Sequence, residues 1–276
     1  MAEITAAAVK ALREKTGLPM MDCKKALEQA GGDEETAIRH LREQGKKWGE
    51  TKAGRETAFG RFATHARLDE PVGTMVELLC ESAPVAGNEE FIALGQDLAD
   101  ALALSTAAST GDALLALPSP RRAPTTLREQ FDELNNRIRE VFRVGRIVRI
   151  DGRCGSYVHH NGSVGVLLQV EGGSAEAVKD VCMHIAFAKP KAIGPADLDP
   201  QLVQQERDIQ TERARNEGKP ENIIPKMIEG RMKTFYAENC LLEQPFVKDA
   251  AKTVGQVAQE AGMKIVRFVH WEIGKS

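Results

Sequence analysis

The chain repeats itself once over a long distance, and that repetition constrains its fold more than any other feature. "GRFATHARLDEPVGTMVELLCES" begins at Gly60 and "GSYVHHNGSVGVLLQVEGGS" begins at Gly155. Each opens with glycine, one variable residue and an aromatic ring, Phe62 or Tyr157. Histidine follows in each: His65 in the first, His159 or His160 in the second. Each then turns and enters an apolar run through a Val-Gly pair, Val72-Gly73 or Val164-Gly165. Two apolar runs joined by a polar turn read as a hairpin. A helical pattern comes next, about Asn88 to Ala107 in one copy and Ser174 to Ala188 in the other. "RVGRIVRIDG" (Arg143 to Gly152) and "MKIVRFVHWEIG" (Met263 to Gly274) supply a third strand for each. The expectation is an α+β chain in which two duplicated strand–strand–helix units pack as a pair.

The residues before the repeat carry a different period. Thr5 is placed to cap a helix with Ala8, Val9 and Leu12 on one face, and Gly17 and Pro19 end it. Asp22 is expected to cap a second helix, whose Cys23, Ala26, Leu27 and Ala30 follow helical spacing up to Gly31-Gly32. Asp33 caps a third, with Glu34 and Glu35 near the positive end of its dipole. Its face is Ala37, Ile38 and Leu41, and Gly45 is expected to end it. Residues 1–45 therefore read as a three-helix domain and 46–57 as a basic linker. The first α+β subdomain spans 58–152 and the second 153–276. The second holds an insertion at 197–237, where "QQERDIQTERARNEG" is too polar to bury much surface. With the turn "GKPEN" and the apolar steps Ile224, Ile228, Met232 and Phe235, it reads as a projecting antiparallel helical hairpin. Leu202, Val203 and Ile209 are the apolar residues available to its first helix.

Several function classes fit poorly. A net charge of −3 argues against a general nucleic-acid binder, which needs a basic surplus to release counterions. No basic n-region precedes an apolar core at the N-terminus, and no apolar run is long enough to span a bilayer. The five cysteines are widely spaced and form no C-x-x-C pair, as expected for reduced thiols in the cytoplasm. "IGKS" (Ile273 to Ser276) resembles the end of a phosphate loop. However, the position that needs its first glycine is Val269, and no helix can follow. Cys154, His159, His160, Cys182 and His184 lack metal-ligand spacing. Cys23, close to a helix N-terminus, is the candidate for a reactive thiol. What remains is surface. Met20 and Met21 precede a helix whose apolar face is already complete. Either one of them staples the loop to the bundle, or they form a soft anchor for another protein.

The runs "TGLPMMDCKKALEQAGGDEETAIRHLREQG", "GSYVHHNGSVGVLL", "MHIAFAKP" and "GKPENIIPKMIEGRMKTFYAENCLLEQPFV" closely resemble the bacterial elongation factor Ts family. They cover nearly the whole chain in the family's order. The resemblance implies a guanine-nucleotide exchange factor for elongation factor Tu that acts by binding, without cofactor, metal or covalent chemistry of its own. It also implies a ubiquitin-associated-like (UBA-like) N-terminal domain ahead of the paired subdomains and the hairpin. By the same resemblance Leu12, Met20 and Met21 grip the GTPase domain of the partner. His159 lies on the subdomain that faces the partner's C-terminal domain; read from the residues alone, it is a strand-end histidine bonded to backbone.

One motif departs from the family. A Thr-Asp-Phe-Val sequence there presses an acid and a ring towards the partner's Mg²⁺; here Ser82, Ala83, Pro84 and Val85 stand in its place. The carboxylate and the ring are gone, and Pro84 stiffens the segment. Three readings follow for these residues: a rigid apolar edge that still acts, an ordinary strand–helix connection, or a module that holds Tu without exchange. A thiol or metal enzyme is the remaining alternative for the chain as a whole.

Overall fold

The computed structural model describes residues 4–52 and 54–275. Helix α1 (Ala6–Thr16) starts where Thr5 Oγ1 accepts from the Ala8 N–H, and it ends at Gly17, whose φ of 67° is the left-handed conformation glycine favours. Helix α2 (Met20–Gln29) begins earlier than the sequence suggests. Pro19, not Asp22, stands at its N-cap, with φ already at −56°, and its carbonyl accepts the N–H groups of Asp22 and Cys23. Both methionines are therefore helical. Helix α3 (Glu34–Lys52) does not stop at Gly45 but continues through most of the expected linker. Gly45 is a point of close approach: a Cβ there would lie 2.6 Å from Asn136 Cγ. Val9, Leu12, Leu18, Cys23, Ala26, Leu27, Ala37 and Leu41 form the core of this bundle.

The repeat folds into two three-stranded antiparallel sheets. The first is ordered β1 (Phe59–Ala66), β2 (Val72–Cys80), β3 (Arg143–Asp151). The second is ordered β4 (Cys154–Val158), β5 (Val164–Gly172), β8 (Met263–Glu272). Their registers match: Ala66 pairs with Gly73 and Val158 with Gly165, the same displacement along the chain for both partners. Each third strand carries one extra residue at the corresponding point, opposite Val76–Leu78 in one sheet and Gln169–Val170 in the other.

The sheets pack face to face through Phe62, Met75, Ile150, Cys154 and Leu167. The glycine of each Val-Gly pair makes this approach possible. A Cβ on Gly73 would meet Cys154 Sγ at 2.8 Å, and one on Gly165 would meet Met75 Sδ at 2.7 Å. On the outer faces lie α5 (Glu89–Leu104), capped by Asn88, and α8 (Ala175–Ala188), capped by Ser174. Phe91, Leu94, Leu98 and Leu102 of α5 are fully buried or nearly so against Val76 and Leu78. Each such side chain contributes about 1.5–3 kcal/mol. Val178, Val181, Cys182 and Ile185 of α8 do the same over Val166, Leu168 and Val170.

Two insertions decorate this sandwich. In the first unit, α4 (Ala83–Ala86) precedes α5, and α6 (Gly111–Leu115) and α7 (Leu127–Ile138) precede β3. Helix α7 opens with a capping box between Thr126 and Glu129, and its Asn136 reaches the Leu41 carbonyl of α3. In the second unit the hairpin consists of α9 (Pro200–Asn216) and α10 (Ile224–Asn239). Its seam is thinner than its composition promises. Ile209 is 59% exposed, Leu202 also faces outward, and Ala214 is the buried residue of α9. Arg231, bonded to Gln210 and Glu217, stitches the two helices instead. A ribbon of β6 (Pro245–Phe246) and β7 (Asp249–Thr253), then α11 (Val254–Glu260), leads into β8.

Candidate functional site

Met20 and Met21 occupy the first two positions of α2 and are 49% and 60% exposed, so neither staples the bundle. Leu12 is fully buried among Val9, Leu18, Cys23 and Leu27. That burial follows its helical period and puts it in the core of the bundle that carries Met20 and Met21. Cys23, the candidate reactive thiol, is also fully buried, with its Sγ directed at the Leu18 carbonyl.

Ser82 to Val85 form a knuckle at the end of β2. Ser82 is the N-cap residue of α4, and Pro84 occupies its second position, where no intrahelical N–H is needed. Clamps hold both ends. At the first, the Ser82 N–H and Oγ donate to the Glu140 carboxylate at 3.1 and 2.6 Å. At the second, Arg61 Nη1 donates to the Ala86 carbonyl at 2.9 Å. Ala86 is buried and Val85 packs against the α5 layer, so Ala83 and Pro84 are the residues presented to solvent. Behind the knuckle, Cys80 Sγ donates to the Ser82 carbonyl, and burial pushes this thiol up to about 11.

His159 lies in the turn between β4 and β5. Its N–H donates to the Val164 carbonyl, and its carbonyl accepts from the Gly162 N–H. Its Nδ1 is 3.0 Å from Asn161 Oδ1, and its ring lies 4.2 Å from that of His160, centroid to centroid. The turn rests on β1. The Phe62 N–H donates to the Gly162 carbonyl, and a Cβ on Gly162 would meet Arg61 Cβ at 2.6 Å. Arg61 thus touches the His159 turn with its stem and the knuckle with its head, and so joins two places far apart in sequence.

The methionines connect to the knuckle by another route. Arg139 Nη2 donates to Asp22 Oδ2 at 2.6 Å, and Glu140, the next residue, holds Ser82. Arg61, Arg139 and Glu140 are not marked by the sequence. Arg61 is only the variable residue of the first repeat, no motif surrounds Arg139 and Glu140, and each matters through a partner distant along the chain. A cleft of about 1280 Å³ between the bundle and α7 is lined by Leu18, Ile38, Leu41 and Leu134, and its rim includes the paired Arg42–Glu133 and Arg121–Asp97. The methionines, the knuckle and His159 lie outside it, so the candidate site is a surface and not a cavity.

Comparison with known proteins agrees with this architecture. Residues 84–275 match the family model described as Elongation factor TS. The chain is 41% identical to Elongation factor Ts of Methylococcus capsulatus, over 99% of its own length and 92% of the relative's. It is 41% identical to that of Aeromonas salmonicida over 100% and 92%, and 41% identical to that of Clostridium botulinum (strain Alaska E43 / Type E3) over 99% and 93%. The relatives extend across the N-terminal bundle and strands β1 and β2, which the family model does not reach. With the family model spanning β3, the second sheet and the hairpin, and the relatives extending over the rest of the first sheet and the methionine-bearing bundle, the chain belongs to the elongation factor Ts family of translation elongation factors.

Proposed function

We propose that this chain binds elongation factor Tu in its GDP form and promotes GDP release by disturbing the partner's Mg²⁺ and phosphate sites. Met20 and Met21 anchor the bundle on the GTPase domain, with Leu12 in the core of the same bundle. Ser82 to Val85 act on the Mg²⁺ side, and His159 faces the partner's C-terminal domain. The observation that carries this reading is the knuckle. Its backbone is held at both ends by Glu140 and Arg61 while Ala83 and Pro84 are left exposed. An edge held this firmly can displace a partner segment through shape, without the acid and ring that the family usually carries there.

The work is done by differential binding. If the chain weakens GDP binding to Tu, GDP weakens its own binding by the same factor, so a nucleotide-free complex accumulates until GTP resolves it. The setting is the cytoplasm, with no nucleic acid or membrane contacted directly; the core or the hairpin is the surface available for self-association. Ala83 and Pro84 also favour a second reading, in which the chain holds Tu without exchanging its nucleotide. Stopped-flow release of a fluorescent GDP analogue from Tu, at high and at chelated Mg²⁺, separates the two. Strong acceleration at high Mg²⁺ supports exchange. Complex formation on gel filtration with unchanged release supports holding.

A further inference from the structure

Helix α7 ends on Arg139 with φ 65°, the left-handed conformation that favours glycine. An arginine there bears a conformational cost, because its Cβ crowds the following carbonyl. Its Nε is also buried with no hydrogen-bond partner among the described residues. Two unfavourable features at one residue require an offsetting interaction. Arg139 has two: the 2.6 Å bond to Asp22, and its position over the Trp48 ring, 5.9 Å from the centroid. Asp22 sits in the first turn of α2, immediately after Met21.

The next residues face the other way. The Glu140 carboxylate takes both the N–H and the hydroxyl of Ser82, and the Val141 N–H donates to Glu81 at 2.7 Å. Three consecutive residues thus run from the methionine tip to the knuckle. Other contacts from α7 to the bundle reach α1 or α3: Glu133 to Arg42, Asn136 to Leu41, and the Arg137 side chain across Gly17. Among these, Arg139 is the one that reaches α2.

We infer that Arg139 and Glu140 are positioning residues that fix the Met20–Met21 tip relative to the Ala83–Pro84 knuckle. The inference rests on the exchange reading above. A wedge that lacks a carboxylate and a ring acts only through where its backbone lies. An error of about 1 Å in that placement is therefore costly. The methionines fix one end of the chain on the partner, and the tie carries that placement to the knuckle.

The experiment has two arms in the full-length chain. In the first, spin labels at Lys25→Cys and Glu89→Cys report the tip-to-knuckle distance in the free protein; all five native cysteines are buried, which keeps labelling selective. In the second, GDP release from Tu is titrated to give a plateau rate and a half-saturating concentration. Arg139→Gly removes the tie while relieving the left-handed backbone, so the variant is expected to fold. Its distance distribution broadens, and the plateau falls by roughly tenfold or more while half-saturation moves little. The charge exchange Asp22→Arg with Arg139→Asp restores both, since aspartate tolerates that backbone. A distribution unchanged by Arg139→Gly overturns the tie. A broadened distribution with an unchanged plateau overturns its role. If the unmodified chain fails to accelerate release, the exchange reading falls, and the distance arm still decides whether the tie exists.

Discussion

Between β5 and α8 the second unit needs only Gly173 and Ser174, and Gly172 and Gly173 both take left-handed backbone to make the turn. Between β2 and α5 the first unit spends residues 81–88 and folds α4 from them. The hairpin turns differ in what their histidines bond to. In the second unit the turn carries His159 and rests on β1 of its neighbour. In the first unit the turn reaches its neighbour too, since the Leu68 carbonyl accepts from Arg153 Nε at 3.1 Å and Leu68 packs against the second core, but its histidine, His65, is tied within its own unit, 2.6 Å from Glu70 and 2.9 Å from Asp100 of α5. Sheets, register and bulge position are shared, while the strand ends have diverged. Sheet faces are buried against each other, so a change there disturbs packing on both sides. Connections lie at the surface and are free to acquire contacts.

The largest effect should separate the two helical layers. Phe91→Ala removes a ring packed edge-on to Phe142 at 5.0 Å, and is expected to cost about 4 kcal/mol. Val181→Ala, the smaller deletion under α8, should cost less, and chemical denaturation measures both. If the two losses were equal, the aromatic packing of the first layer would contribute nothing of its own.

Next comes the face the two sheets share. Gly73→Val and Gly165→Val each drive a side chain into the opposite sheet, and each should destabilise by about 2–3 kcal/mol. Thermal unfolding of the pair tests the symmetry: a large loss from one and none from the other would break the correspondence between the units.

At the knuckle, Ser82→Ala leaves Glu140 without one of its bonds and should cost about 1–2 kcal/mol of stability. By contrast, Ser174→Ala at the matching cap of α8 should lose about 1 kcal/mol. If exchange is the activity, Ser82→Ala slows GDP release and Ser174→Ala does not. Equal rates in the two variants would argue that the first unit's connection has no special role.

The smallest effect is the pH dependence from His65. Burial works against its charged form, but the bonds to Asp100 and Glu70 outweigh that, and its pKa is raised. The stability this gives is fully present below the ordinary histidine value of about 6.5 and is lost as pH rises through the raised folded value. Denaturation midpoints of the unmodified chain and His65→Gln should therefore converge on going to mildly alkaline pH. A gap between them that widens with pH would reverse the assignment.

Legibility followed the range of the interactions. The N-terminal ends of α5 and α8 are readable because Asn88 and Ser174 cap their own helices, and the strands because period and Val-Gly pairs are local, whereas α5 stops at Leu104, short of the expected Ala107. Residues 105–142 carry a local signal of their own. Thr126 and Glu129 make a capping box, and Leu127, Phe131 and Leu134 follow helical spacing, although the segment has no counterpart in the repeat. At Leu12 two inferences competed, a helical face and a partner contact, and burial in the bundle agrees with the first. Gly45 illustrates the opposite problem. A glycine after a periodic run looks like a stop, and only the neighbouring Asn136 reveals it as a contact.

The sequence by itself determined the elements, their duplication and the family, because propensity, caps and alternating burial act within a few residues of the chain. Tertiary structure decided which surfaces belong together. Arg61 joins the His159 turn to the knuckle, and Arg139 and Glu140 join the knuckle to the methionines, through bonds between residues many positions apart. A guanidinium reads the same in sequence whether it is solvated or bonded across the core. Its partner is chosen only when the sheets pack and the bundle docks, and that choice turns three separate exposed features into one candidate surface.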